Sequence, residues 1–109
     1  MNKERSKVNI NVYLVLEQEG KILLALRKNT GYQDGQYSLV AGHVETGESA
    51  MVAMCREAKE EIGIDIDLEE LEMVLTMHRR TDRDNIDLFM RCSFWKNDIV
   101  NKEPKNVEL

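Results

Sequence analysis

The sequence predicts an α+β fold in which one helix packs on a mixed sheet. Three observations lead there. Alternating apolar and polar residues recur both before and after the middle of the chain. One helical stretch, from about Ser49 to Ile62, is bounded by cap residues at both ends. The length, 109 residues with 42% hydrophobic and 32% charged, suits one domain with one core and is predicted to form a single unit, residues 1–109.

Val8 to Leu16 alternates, with Val8, Ile10, Val12, Leu14 and Leu16 set against Asn9, Asn11, Tyr13 and Val15, and reads as a strand. Glu17-Gln18-Glu19-Gly20 reads as a hairpin turn into a second strand, Lys21 to Arg27. Asn29 to Gln36 carries two glycines and reads as a surface loop. Tyr37 to Ala41 is short and apolar enough for a third strand. Ser49 is a natural N-cap and Gly63 a natural C-terminal left-handed residue for the helix. Glu72 to Arg80 and Asn85 to Trp95 read as two further strands around a polar loop, Arg80 to Asp84. No repeat, low-complexity stretch or linker interrupts this order, and the single proline is Pro104.

Composition narrows the function classes. The longest apolar runs are five residues, Val12 to Leu16 and Ile22 to Leu26, far short of the roughly 20 that a spanning helix needs. The start, MNKERSK, lacks the apolar core of a signal peptide, so a cytosolic (cytoplasmic) location is expected. Cys55 and Cys92 are too few for a disulfide scaffold and too far apart in sequence for a zinc site. The net charge is −5, unevenly placed. From Glu45 to Glu72 ten acids face only Arg56 and Lys59, a net −8, while the rest of the chain carries +3. Such a surface argues against wrapping nucleic acid. It is what a hard divalent cation requires, although a solvated acidic face has the same composition.

Spacing separates these readings. At about 100° per residue, Glu57, Glu60 and Glu61 fall on one helical face, shared with the small residues Ala50 and Ala53, which are expected to leave open space above the carboxylates. Met51, Cys55, Ala58 and Ile62 form the opposite, sheet-facing stripe. Like charges this close destabilise a helix by a few tenths of a kcal/mol per pair, and bridging cations remove that penalty. Oxygen-only ligation that leaves room for water and phosphate favours Mg²⁺, with Mn²⁺ as the alternative. Ahead of the helix, Ala41-Gly42-His43-Val44-Glu45-Thr46-Gly47-Glu48-Ser49 forms a tight loop. It sets Glu48 at the positive end of the helix dipole, where Arg56 is within reach of it.

Gly42, five residues, Glu48, seven residues, then Arg56-Glu57-Ala58-Lys59-Glu60-Glu61-Ile62-Gly63-Ile64 resembles the Nudix box. All seven fixed residues are present, a match expected by chance on the order of once in 10⁸ starting positions. The resemblance implies a Nudix-like α/β/α sandwich with a mixed β-sheet, here lacking the usual C-terminal strand and helix and so C-terminally shortened. It also implies Mg²⁺-dependent hydrolysis of a nucleoside diphosphate linked to another moiety. Water attacks phosphorus, and a monophosphate leaves together with pyrophosphate or a phosphorylated group. The GYQDGQYSL stretch, Gly31 to Leu39, resembles triphosphate hydrolases and puts a nucleoside triphosphate first among substrates.

Residue by residue, the resemblance assigns metal ligation to Glu57, Glu60, Glu61 and the carbonyl of Gly42. Glu48 supports the site, Arg56 orients glutamates by salt bridges, and the general base is one of Glu57, Glu60 and Glu61. Arg27 and Lys28 fall where relatives place a cation against substrate phosphate, and a solvated strand end reads the same way. Tyr32 and Tyr37 suit base stacking or ordinary packing. Val40 stands where many relatives have proline, and Glu103 or Glu108 is a weak candidate for a late catalytic acid. His43, at a variable box position, and His78 are further candidates beside bland strand and loop roles. Arg79, Arg80 and Arg83 suit either a phosphate patch or a polar hairpin tip. A missing helix would expose apolar sheet surface and favour a homodimer. The expected partner is a nucleotide-type small molecule, with no nucleic acid and no membrane. The competing reading is a non-catalytic nucleotide-sensing module on the same fold.

Overall fold

The alternation that begins at Val8 becomes β1 (Val8–Gln18) in a computed structural model that describes residues 7–27, 35–102 and 107–108. β1 runs two residues further than its pattern suggests, because a two-residue turn at Glu19-Gly20 closes the hairpin. Both turn residues have positive φ, 53° and 74°, the backbone twist that matches paired strands. The chain returns as β2 (Lys21–Ile22), pairing Gln18 with Lys21 and Glu17 with Ile22.

The expected strand Lys21 to Arg27 is split in two. β3 (Ala25–Arg27) leaves β1 and joins β4 (Tyr37–Ser38). The cause is competition for one edge of β1. β5 (Val40–His43) pairs Val40 with Leu14 through His43 with Asn11, so a straight β2 would run into β5. The expected strand Tyr37 to Ala41 is divided for the same reason, with its two ends serving different sheets. The loop expected at Asn29 to Gln36 falls mostly outside the described residues.

On the other edge of β1 lies β7 (Asp84–Cys92), parallel to it from Val8↔Asp84 to Leu16↔Cys92. β6 (Glu72–Arg80) pairs antiparallel with β7, with a bulge between Met73 and Leu75. β7 ends at Cys92, three residues before the expected Trp95, where the Cys92 Sγ–H donates to the carbonyl of Phe94 (3.0 Å). Near the end of the chain β8 (Val107–Glu108) pairs with β3, so a short strand exists where none was expected.

α1 (Ala50–Ile62) starts and stops as its caps dictate. Ser49 is extended and its hydroxyl accepts from the Val52 N–H; Gly63 is left-handed and donates to the Lys59 carbonyl. The buried face of α1 is Ala53, Met54, Ala58 and Ile62, rotated from the expected stripe, which leaves Met51 and Cys55 half-buried. Ala53, expected to open space above the glutamates, is fully buried. Its small side chain, with that of Ala58, lets the helix approach the sheet closely. The core then closes between α1 and one sheet face, from Val12, Leu14, Leu16, Val40, Met90 and Cys92, and Ile64, Ile66 and Leu71 belong to the same cluster. Among the described residues only this face carries an α-helix, so the second helical layer of an α/β/α sandwich is not among them. No described helix is long and apolar enough to cross a membrane.

Candidate active site

The close approach of α1 to the sheet brings Glu57 against the backbone of β5. A Cβ built on Gly42 would overlap the Glu57 carboxylate and its neighbouring carbon. While Glu57 keeps this place only glycine fits, and the reason is space, since Gly42 has no positive φ. Gly42 and Glu57, fifteen positions apart in sequence, are thereby fixed in contact.

Arg56 is the hub of the site. Its Nη2 and Nε donate to the two oxygens of Glu48 (2.8 and 3.1 Å), a two-pronged pairing. Nη1 donates to Glu57 (2.9 Å) and to Glu60 (3.1 Å). Nη2 also donates to the carbonyl of His43 (3.0 Å), so one guanidinium joins the loop before the helix to three glutamates. The paired Glu57 and Glu60 oxygens share one nitrogen, and are therefore no further apart than the two bond lengths together, about 6 Å. Glu48 also accepts from the backbone N–H of Glu45 (2.8 Å). These bonds, from Arg56 first and the amide second, hold its carboxyl below the usual range, while Glu48 raises the Arg56 guanidinium still further above its ordinary value.

Glu48 and Glu57 side chains are only 14% exposed, against 57% for Glu60. Glu61, on the last turn of α1, is half-buried, and its backbone carbonyl accepts from the Lys102 N–H (3.0 Å). Gly42, Glu48, Arg56, Glu57 and Glu60 thus form one constellation, with Glu61 on the adjoining turn. Among the described residues no three His, Cys, Asp or Glu side chains converge as a ready-made ion site; the cation between the carboxylates is Arg56. The donor set still fits a hard divalent ion, being all oxygen and including two carboxylates that already meet at one positive group.

Other candidates lie elsewhere. Arg27 ends β3, in the separate small sheet. Lys28, Tyr32 and Glu103 lie outside the described residues. Tyr37 is exposed on β4, and Glu108 pairs through its backbone with Leu26. His78 Nε2 donates to Asp84 (3.0 Å) at the hairpin tip, where Arg80 also pairs with Asp84 (3.0 Å). Arg83 lines an open groove of about 470 Å³ whose walls include Asn9, His43, Val44, Glu45 and Thr46.

Sequence reasoning missed a polar network on the second sheet face. Asn11 Nδ2 donates to Asp87 (2.9 Å) and to Asn85 (3.3 Å), which turns its Oδ1 toward His43 Nδ1 (2.7 Å). Asp87, 2% exposed, accepts from Arg79 Nε (2.8 Å), and that bond leads in holding its carboxyl below the ordinary range. The signal was present: Asn9 and Asn11 are in register with Asn85 and Asp87 across the parallel pair. Beside them Tyr13 and Phe89 stack, ring centroids 4.6 Å apart. His43 therefore joins this network by its side chain and the Arg56 hub by its carbonyl.

The NUDIX domain model matches residues 5–108. An ADP-ribose pyrophosphatase of Methanocaldococcus jannaschii is 37% identical over 70 residues, covering 64% of this chain and 39% of that protein. A CTP pyrophosphohydrolase of Escherichia coli is 41% identical over 59 residues, 54% of this chain and 44% of that one. The chain thus spans less than half the length of these two relatives. The crystal structure of a MutT NUDIX hydrolase from Burkholderia pseudomallei superposes with a TM-score of 0.82 at 21% identity, over 94% of this chain and 80% of that one, a likeness of fold.

Proposed function

This chain belongs to the NUDIX domain family, and from that premise we propose that it is a Mg²⁺-dependent pyrophosphohydrolase acting on a nucleoside diphosphate linked to another moiety, with a nucleoside triphosphate as the leading substrate class. One observation carries the proposal. The Arg56 guanidinium gathers Glu48, Glu57 and Glu60 at the point where Glu57 meets Gly42. Carboxylates gathered this closely repel one another, Arg56 offsets part of that cost, and a bound divalent ion would offset more of it.

Glu57, Glu60, Glu61 and the Gly42 carbonyl are the residues to hold the divalent ion, Mg²⁺ or Mn²⁺. When bound, that ion neutralises phosphate charge and acidifies water. The chain's own groups do the positioning. Arg56 fixes the rotamers of Glu48 and Glu57, and Gly42 leaves the space that the Glu57 carboxylate occupies. One of Glu57, Glu60 and Glu61 takes the proton from the attacking water. The His43, Thr46 and Arg83 groove is of a size to receive the group beyond the diphosphate. Arg27, Lys28 and Tyr32 are proposed substrate contacts on sequence grounds alone. The acidic surface favours a small nucleotide over a nucleic acid, and a cytoplasmic setting suits such a substrate.

The test is a panel of nucleoside triphosphates, ADP-ribose, dinucleoside polyphosphates and nucleotide sugars with Mg²⁺, reading phosphate, pyrophosphate and monophosphate separately. Glu60→Gln and Glu61→Gln are expected to lower turnover by several orders of magnitude while the protein stays folded. Full turnover in both variants would overturn these assignments. Nucleotide binding without product release in the native protein would favour a sensing module.

A further inference from the structure

We propose that the free edge of β6 is a dimer seam, where a second copy of this chain adds its own β6 in antiparallel register about Thr76. Among the described residues β6 is hydrogen-bonded on one side only, to β7. All nine of its residues are exposed, including Met73, Val74, Leu75 and Met77 at 41–52%. Nine residues make an edge about 30 Å long. Its middle, Met-Val-Leu-Thr-Met, carries no charge and no proline; of the devices that usually blunt such an edge it has only the bulge between Met73 and Leu75.

The strand is self-complementary in two ways. A two-fold axis through Thr76 sets Leu75 opposite the partner's Met77, and Met77 opposite the partner's Leu75. Residues directly opposite in an antiparallel pair share a face. Four exposed apolar side chains thereby cluster across the seam. At the strand ends the bulge between Met73 and Leu75 adds one residue, so the same axis brings Glu72 alongside the partner's Arg79, and this repeats at the other end. Glu72 is held by Arg91 (2.8 Å) and Arg79 by Asp87 (2.8 Å), yet these side chains remain 63% and 43% exposed. A carboxylate accepts more than one donor and a guanidinium offers five, so the existing pairs order the ends without using them up. Displacement of the register by one residue loses the Leu75–Met77 match.

The 109-residue chain is tested by sedimentation velocity over a range of concentrations, together with hydrogen exchange at the β6 amides. The expected result is a shift from 12.6 kDa toward twice that mass, with β6 protection rising in parallel. Leu75→Lys/Met77→Lys, which places four lysines in the seam, is expected to return the protein to monomer with an unchanged circular-dichroism spectrum. Thr76→Cys is expected to cross-link under mild oxidation, since residues opposite one another on the axis lie within disulfide range. The native thiols do not compete. Cys55 and Cys92 donate to the carbonyls of Ile66 and Phe94, and burial raises both above the ordinary thiol range. If the lysine variant fails to fold, the cysteine variant still decides. A native monomer at every concentration overturns the proposal, and so does a dimer that neither cross-links at position 76 nor responds to the lysines.

Discussion

Gly42→Ala is the substitution that separates the local geometry of the site from the stability of the fold. Gly42 lies in β5 with no positive φ, so its backbone accepts alanine without strain, and alanine is the better strand residue by up to about 1 kcal/mol. Opposing this, the new Cβ would overlap the Glu57 carboxylate. Overpacking of this kind costs about 1–3 kcal/mol, and the side chain that can yield is Glu57, at the expense of its 2.9 Å bond to Arg56. The net loss of stability is therefore about 0–2.5 kcal/mol, while the Glu57 oxygens are turned from the place where they meet Glu60. Loss of an orienting partner weakens metal affinity about 10- to 100-fold. Two assays read the two effects apart. Thermal unfolding without divalent ions reports the packing cost, and a Mg²⁺ titration of turnover reports the site. The expected outcome is a folded protein with a slightly lower Tm and a Mg²⁺ requirement raised by one to two orders of magnitude. A variant with native Mg²⁺ dependence would refute the claim that the Gly42–Glu57 contact sets the position of the ligand.

Three further outcomes follow from the same contacts. Arg56→Ala strips the hub from Glu48 and Glu57, both mostly buried; the expected loss is about 2 kcal/mol in metal-free buffer, partly restored by Mg²⁺, and an equal loss with and without Mg²⁺ would count against a shared site. Native protein is expected to show a higher Tm with Mg²⁺ than with a chelator, because an ion bound only by the folded state stabilises it; identical melting curves would contradict that. Glu48 and Asp87 titrate lower in the folded chain than in the unfolded one. Their contribution is therefore complete above the ordinary carboxyl range and disappears as pH falls through their lowered folded values, so Tm measured against pH should be flat near neutrality and drop on the acid side of that range.

The site was more legible in the sequence than the path of the strands. Box residues are close in sequence and lie on a helix with strong caps, so local rules place Glu48, Arg56, Glu57 and Glu60 together. The order of strands depends on contacts between distant segments. Nothing local in Lys21 to Arg27 reveals that Val40 will occupy the slot beside Leu14 and force the strand to break. The buried helix face was misread for a related reason. Periodicity does not tell which side of an alanine-rich stripe meets the sheet, and Ala53 is buried because the helix comes close enough to press Glu57 on Gly42. The role of Arg56 as one donor group for three glutamates also depends on a loop whose course spacing alone does not describe.

The most direct measurement is a crystal structure with Mg²⁺ and a non-hydrolysable nucleoside diphosphate analogue. The account predicts an ion at about 2.0–2.2 Å from oxygens of at least two of Glu57, Glu60 and Glu61, bridging to the diphosphate, with Arg56 retained on Glu48. An ordered analogue with no ion among these glutamates, and Arg56 still joined to Glu57 and Glu60, would contradict it.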